Sequence, residues 1–310
     1  MASIVTVTMN PALDVATEVE QFVAQKKLRC SKPRYDPGGG GINVARMIKE
    51  LGGESTAFVM AGGPSGERLR SMLAGRGINA RFLAADGDTR QSLTVVERAT
   101  SKHFRFVLPG ERQGAEKAGE ALASIADLIE EQGTAYVVVS GSLPDSLPED
   151  FIARTARLAC ERGARVILDT SGPPLARALD EGVYLVRVNR EEARELAGGK
   201  DHDLAAQARA LLERKAAKVV IIALGSEGAL VANTDGVVRI RSPEIEVVSA
   251  VGAGDCFVGA LTFGLVEGRP LIEASRLAVA AASAAVTTPA TELAHKHDIE
   301  ALYERTSIER

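Results

Sequence analysis

The sequence predicts an α/β protein built on a mostly parallel sheet covered on both faces by helices, with a smaller sheet projecting from it. Three observations carry that expectation. Continuous apolar, β-branched runs recur at "AYVVVSG" (135–141), "ARVILDTSG" (164–172), "VYLVRVN" (183–189) and "KVVIIALGSEG" (218–228). Amphipathic helical patterns lie between them. Strands that are apolar throughout, rather than alternating, are buried on both faces, as parallel strands are. Finally, segments 12–36 and 88–108 hold short extended pieces with no helix between them.

Taken in order, "SIVTVTM" (3–9) reads as the first strand, "INVARMIKELGG" (42–53) as a helix and "STAFVMAGG" (55–63) as a further strand of the same sheet. The helices expected later are "EDFIARTARLACERG" (149–163), "EEARELAG" (191–198) with "DLAAQARALLERKAAK" (203–218), then 254–268 and 271–287. In "HFRFVL", Phe104, Phe106 and Leu108 alternate with Arg105 and Val107, the period of a half-buried strand. Segments 12–36 and 88–108 are thus expected to form a small antiparallel sheet, a lid over a site or a dimerisation surface. The whole chain, 1–310, reads as a single domain that includes these two segments.

With 310 residues, 45% hydrophobic and 25% charged, the chain has the composition of an ordinary globular protein. A formal net charge of −4 argues against wrapping nucleic acid, which needs a basic excess. Cys30, Cys160 and Cys256 are odd in number and lack CxxC spacing, so no disulfide framework or zinc site is expected. "LAVAAASAAVTTPA" (277–290) is too short to span a bilayer, and the N-terminus lacks a basic leader. A cytoplasmic location without membrane partners is the expectation.

In a doubly wound sheet the ligand crevice lies beyond the carboxyl ends of the strands. Asn10, Asp14, Ser140, Asp169, Asn189 and residues 225–228 all follow or end strands, so they are expected to converge there. No GxxxxGK[ST] occurs, and neither "GGGGIN" (38–43) nor "GAGDCF" (252–257) joins an early strand to its helix as a dinucleotide fingerprint must. Four consecutive glycines carry a large entropic cost, which points to close approach of backbone to a ligand rather than a plain turn. In "GAGD", Gly252, Ala253 and Gly254 form an anion nest at a helix start, and Asp255 stands where a hydroxyl nucleophile meets a bound phosphoryl group. A helix N-terminus is expected to keep this carboxylate ionised; helix stabilisation alone explains the acid but not the glycines. "NREE" places Asn189 and Glu192 as a capping box, a pair that at a strand end also holds water around magnesium. Lys27, Arg29, Arg90 and Arg105 all fall in the two extended segments, as an anionic substrate under a lid requires. His295 and His297 lack metal partners, and Cys256 reads as helix packing.

With "PALD" (11–14), "GGGGINVAR" (38–46), "SGSLP" (140–144), "NREE" (189–192), "LGSEGAL" (224–230) and "VGAGDCFVGA" (251–260), the chain resembles the PfkB-family sugar kinases of the ribokinase-like fold. The resemblance runs over nearly the whole length and implies a three-layer sandwich with a β-sheet lid. "KLRC" (27–30), "TRQSL" (89–93), "FRFVLPG" (104–110) and Gly40, where relatives acting on fructose 1-phosphate or tagatose 6-phosphate carry lysine, are similar to the members that phosphorylate fructose 6-phosphate at its C1 hydroxyl. Asp14, Gly39, Gly40, Asn43 and Asp169 would then hold the sugar. Lys27, Arg29, Arg90, Arg105 and Ser140 would hold its phosphate, Lys27 across a homodimer formed through the lid. Arg187, Asn189, Glu192 and the segment Leu224, Gly225, Ser226 and Gly228 would hold ATP, with Asn189 and Glu192 ordering Mg2+ through water. Asp255 would be the base, and loops 249–251 and 286–291 a monovalent-cation (K+) site. Two positions depart from the family pattern: Arg187 replaces a lysine, and Ala290 a glycine. The alternatives are another sugar kinase of the family or a non-catalytic nucleotide or sugar sensor.

Overall fold

The computed structural model describes residues 3–199, 203–289 and 291–309. The chain opens with β1 (Ser3–Thr8), β2 (Ala12–Val19), β3 (Arg34–Gly38), α1 (Gly40–Glu50), β4 (Thr56–Ala61), α2 (Gly63–Gly75), β5 (Asn79–Ala84), β6 (Gln91–Glu97) and β7 (Lys102–Val107). Next come α3 (Lys117–Gln132), β8 (Thr134–Ser140), α4 (Phe151–Glu161), β9 (Arg165–Asp169), α5 (Gly172–Leu179), β10 (Val183–Asn189), α6 (Arg190–Leu196), α7 (Leu204–Glu213) and β11 (Ala217–Ala223). A 3-10 turn at Gly225–Glu227 leads into β12 (Ala229–Asn233), β13 (Gly236–Arg241), α8 (Ala253–Val266), α9 (Leu271–Ala285), α10 (Lys296–Tyr303) and β14 (Ser307–Glu309).

Ten strands form one sheet in the order β14-β13-β12-β11-β10-β9-β8-β1-β4-β5. The seven from β11 to β5 run parallel, and β12, β13 and β14 add antiparallel at one edge. Along β8, Val137 and Val139 join a core with helices on one face, while Tyr136 and Val138 join a core with α1, α8 and α9 on the other. Both faces being covered explains why these runs lack polar alternation. The result is three layers.

The remaining strands form a separate sheet, β3-β2-β6-β7. It is mixed rather than antiparallel, because β2 and β6 pair in parallel. Each leaves the carboxyl edge of the main sheet, β2 after β1 and β6 after β5, so both run the same way. The β7 strand also departs from expectation. Phe104 is half-buried, its ring centroid 4.4 Å from that of Phe22, but Phe106 is 47% exposed.

Helices α1 and α8 meet where Gly259 faces Met47. A Cβ at 259 would lie 2.6 Å from Met47 Cβ and 3.0 Å from the Val44 carbonyl. Asn43 and Asp255 sit one turn earlier on the same two faces. Gly259→Val is expected to cost about 1–3 kcal/mol by overpacking this seam, read as a lower denaturation midpoint at unchanged m-value.

Candidate active site

The direction of connection reverses between β1 and β8, which makes their carboxyl ends the switch point of the sheet. The glycine run threads into this crevice. Gly39 has φ +118°, a conformation that costs other residues dearly. A Cβ on Gly40 would come within 2.6 Å of the Ser140 carbonyl carbon and 2.7 Å of Gly141 N; one on Gly41 would lie 2.6 Å from the Val7 carbonyl. A Cβ on Gly38 would strike the Asp14 carboxylate, 2.5 Å from its Cγ. The close approach read from the sequence is therefore largely one of backbone to protein. The run does lead from a strand to a helix, but that strand, β3, belongs to the small sheet.

At the head of α8, Gly252 takes a left-handed φ of +79° and the first helical bond runs from Cys256 N to the Gly252 carbonyl (2.9 Å). The N–H groups of Ala253, Gly254 and Asp255 thus have no backbone partner in the helix. Asp255 Oδ2 accepts from Asn43 Nδ2 at 2.8 Å, and Oδ1 makes no hydrogen bond among the described residues. Burial pushes its carboxyl up to about 7; Asp169 and Asp14 add to the rise, while Asn43 and the Arg187 guanidinium oppose it. The expectation that the helix terminus keeps this group ionised needs correcting. A terminus contributes at most ~1 kcal/mol at exposed sites, less than the desolvation here. Cys256 packs in the core as expected, its thiol pushed up to about 12 by burial.

Behind the nest, Arg187 NH1 donates to Asp169 Oδ1 at 2.9 Å and lies 3.0 Å from where a Gly254 Cβ would be. A larger residue there would press on the guanidinium and make it give by a few tenths of an ångström. Asp169 Oδ2 accepts from Ser140 Oγ (3.3 Å), so both oxygens of this acid have partners within the protein. Asp14 differs: 7% exposed, it makes no hydrogen bond through its carboxylate among the described residues. Burial pushes it up to about 6 against the pull of Arg105, Arg46 and Arg90. Buried oxygens left without donors suit a ligand that brings hydroxyls. Arg90 holds the Asn10 carbonyl (3.0 Å from NH2), and Arg105 Nε reaches Ser92 Oγ at 3.5 Å.

On the far side of Gly254 opens a cavity of about 530 Å³, lined by Gly225, Ser226, Gly228, Val247, Phe257 and Val286 among others. Its apolar walls and the nearby amide nest match a nucleotide base and its phosphates. Leu224, expected here, lies in the core on the other side of the sheet edge. Asn189 and Glu192 form a capping box: Asn189 Oδ1 accepts from Glu191 N and Glu192 N, and Glu192 Oε2 accepts from Asn189 N. That leaves Glu192 Oε1 uncommitted. Among the described residues no group of three His, Cys, Asp or Glu could enclose a metal. One free carboxylate oxygen fits magnesium, which is held by one or two carboxylates together with substrate phosphates.

The structure therefore gathers Asp14, Asn43, Arg90, Arg105, Ser140, Asp169, Arg187 and Asp255 around the switch point. Lys27 and Arg29 stay apart on the exposed segment 20–33, where their side chains make no ion pair among the described residues. The 249–251 and 286–291 loops do meet, Val248 N and Ser249 N both reaching the Val286 carbonyl (2.7 and 3.1 Å), while Ala290 lies outside the described residues. Sequence inspection missed Arg46, whose only signal was its place three residues after Asn43. A second cavity of about 420 Å³ behind Asp36 is lined by charges already paired with one another, such as Arg34–Asp36 at 2.8 Å and Arg76–Asp36 at 2.9 Å.

Three layers about a mostly parallel sheet, a small sheet at its carboxyl edge and an acid over an amide nest define a kinase of the ribokinase-like fold. The chain belongs to the pfkB family of carbohydrate kinases, whose model matches residues 5–297. It is 41% identical over 304 residues to the ATP-dependent 6-phosphofructokinase isozyme 2 of Mycobacterium tuberculosis, covering 97% of this chain and 89% of that one. It is 35% identical over 284 residues to a 1-phosphofructokinase of Xanthomonas campestris, covering 89% and 88%. Crystal structures of phosphofructokinase-2 from Escherichia coli, in complex with fructose-6-phosphate and with potassium, superpose with TM-scores of 0.91 and 0.92. Their identities are 35% and 36%, and each covers 98% of this chain and 99% of its own.

An acid whose pKa is higher folded than unfolded binds more protons in the native state. Its contribution to stability is present below the unfolded value near 4 and is lost as pH rises toward about 7. Asp255→Asn is therefore expected to raise stability at pH 8 by about 1–2 kcal/mol and to change it much less at pH 4, measured by denaturant titration at both.

Proposed function

We propose that the protein transfers the terminal phosphoryl group of ATP to the C1 hydroxyl of fructose 6-phosphate, giving fructose 1,6-bisphosphate and ADP. The observation that carries this most is Asp255, one carboxylate oxygen tied to Asn43 and the other free, seated between an apolar cavity and a cationic pocket. The relatives' names and the fructose-6-phosphate complex of the Escherichia coli protein support the choice of sugar.

In this scheme the base of ATP occupies the cavity beside Gly225, Ser226 and Gly228. Its phosphates meet the amides of Ala253 and Gly254 and the Arg187 guanidinium. Arg187 keeps the charge of the lysine it replaces, and its tie to Asp169 fixes where that charge sits. Asp14 receives sugar hydroxyls; Arg90 and Arg105, with Lys27 from a second copy, receive the sugar phosphate. As the C1 oxygen bonds to phosphorus, its proton passes to Asp255 Oδ1 and the bond from phosphorus to the ADP oxygen breaks. A carboxyl near 7 is matched to this task at neutral pH. Magnesium held by the phosphates and the free oxygen of Glu192 would neutralise charge on the transferred group. A potassium ion between the 249 and 286 loops would stiffen the approach to Gly252, and the Escherichia coli potassium complex supports that assignment. The apolar face of Leu93, Val95, Phe104 and Phe106 suits a homodimer through the small sheet, and the exposure of Phe106 supports it. A cytoplasmic location fits these substrates.

A coupled ADP-release assay with fructose 6-phosphate, fructose 1-phosphate, tagatose 6-phosphate and fructose decides the substrate. Fructose 6-phosphate is expected to give the highest kcat/KM; preference for another sugar reassigns the enzyme, and no release with any sugar favours a sensor. Asp255→Asn should lower kcat by about 10³ or more while ATP affinity stays within about twofold; retained turnover removes the base. Arg90→Ala should raise KM for the sugar phosphate about tenfold or more and leave that for ATP nearly unchanged, since a charge-assisted hydrogen bond contributes about 1.5–3 kcal/mol. Equal effects on the two substrates would count against a phosphate pocket at Arg90.

A further inference from the structure

Arg46 has no part in the scheme above, yet its side chain is only 11% exposed, against 22% for Arg187. One nitrogen of its guanidinium, NH1, donates to the Pro37 carbonyl at 3.0 Å and to Asn43 Oδ1 at 2.9 Å. Asn43 in turn donates from Nδ2 to Asp255 Oδ2. Arginine can only donate, so the amide must present its oxygen to Arg46 and keep its nitrogen for the carboxylate. Without that constraint the amide can turn and offer oxygen to oxygen, which only a protonated acid tolerates. Pro37 lies in β3, so the same nitrogen also senses where the small sheet sits.

We propose that Arg46 is a positioning residue for phosphoryl transfer: it locks the Asn43 amide with Nδ2 toward Asp255, and makes that lock depend on the seating of β3. The catalytic consequence rests on the base assignment under "Proposed function"; the lock itself does not. Charged and titratable groups near Arg46 are Asp36 on β3, Arg76 beyond α2, Asp14 on β2 and Cys256 on α8. Those acting on Asp255 are Asp169, Arg187 and Asp14. Arg46 is not among them; it reaches Asp255 through Asn43 and, by favouring the ionised form of Asp14, through Asp14, and loss of the second route would lower the Asp255 midpoint rather than raise it. Its loss leaves no bare charge, because Asp36 keeps Arg34, Arg76 and Thr291.

Titration of the Asp255 carboxyl by 13C NMR in the full chain without ligands tests the lock directly, alongside the pH profile of kcat. Arg46→Met is expected to raise the Asp255 midpoint by about half a unit or more, since an ordered donor to the ionised form is lost. The acidic limb of kcat should move with it, kcat should fall about tenfold at pH 7, and Arg46→Lys, which can donate to both oxygens, should restore most of each. In an Asn43→Ala background, adding Arg46→Met should not raise the midpoint further. An unmoved midpoint in Arg46→Met, or an equal shift in the Asn43→Ala background, overturns the proposal. A shifted midpoint with an unshifted kcat limb supports the lock and overturns the base assignment instead. If Arg46→Met does not fold, Arg46→Gln, whose amide nitrogen ends two bonds short of the NH1 position, gives the same readings.

Discussion

A helix enters the switch point of the main sheet with no side chains on its first two residues, and the site follows from that. Gly40 rests against the backbone of residues 140 and 141, and Gly41 against the Val7 carbonyl. Any Cβ there would lift α1 off the carboxyl ends of β1 and β8. Asn43 would then leave Asp255, because Asp255 sits on α8, which is itself seated on α1 through Gly259. Two backbone-close contacts, one of helix on sheet and one of helix on helix, thus fix the distance from Asn43 to Asp255.

The electrostatics are deliberately unbalanced. Asp169 and Asp14 raise the cost of ionising Asp255, and Arg187, bonded to Asp169, neutralises only part of this. Desolvation outweighs the helix terminus at Asp255, so the carboxylate is held where it exchanges a proton near neutrality rather than staying permanently charged. Asp14 achieves a similar state differently, buried among arginines but without a donor of its own. Hydroxyls arriving at these oxygens would relieve a cost that the unliganded fold carries.

Much of this was legible in the sequence, for identifiable reasons. Parallel strands announce themselves as unbroken apolar runs, so β1, β4, β8, β9, β10 and β11 were all expected. The glycine runs and Asp255 stood out because their entropy cost has no structural reason visible in one dimension. Helix α3 was missed although Ala118, Ala121, Leu122, Ile125 and Ile129 keep a 3.6-residue period. Strands β12 to β14 were missed because they add antiparallel at an edge, where short half-exposed segments carry little pattern. Local spacing could not separate Leu224 from its neighbours Gly225 and Ser226, since a tight turn sends adjacent side chains to opposite sides. Nor could it reveal Arg46, whose significance is tertiary: it needs β3 and Asn43 brought together.

The greasy back of the small sheet carries a consequence for handling the molecule. Phe106 and Leu108 are about half open to water on the strand farthest from the main body, and Val23 lies open on the segment after β2. Whatever covers such a strip stabilises this sheet by mass action, so the clasp tightens with the logarithm of the covering partner's concentration. Asp36, Pro37 and the amide that Arg46 holds all hang from β3 in this clasp. Were a second copy of this chain the cover, dilution would loosen the frame that holds the Asn43 amide against Asp255.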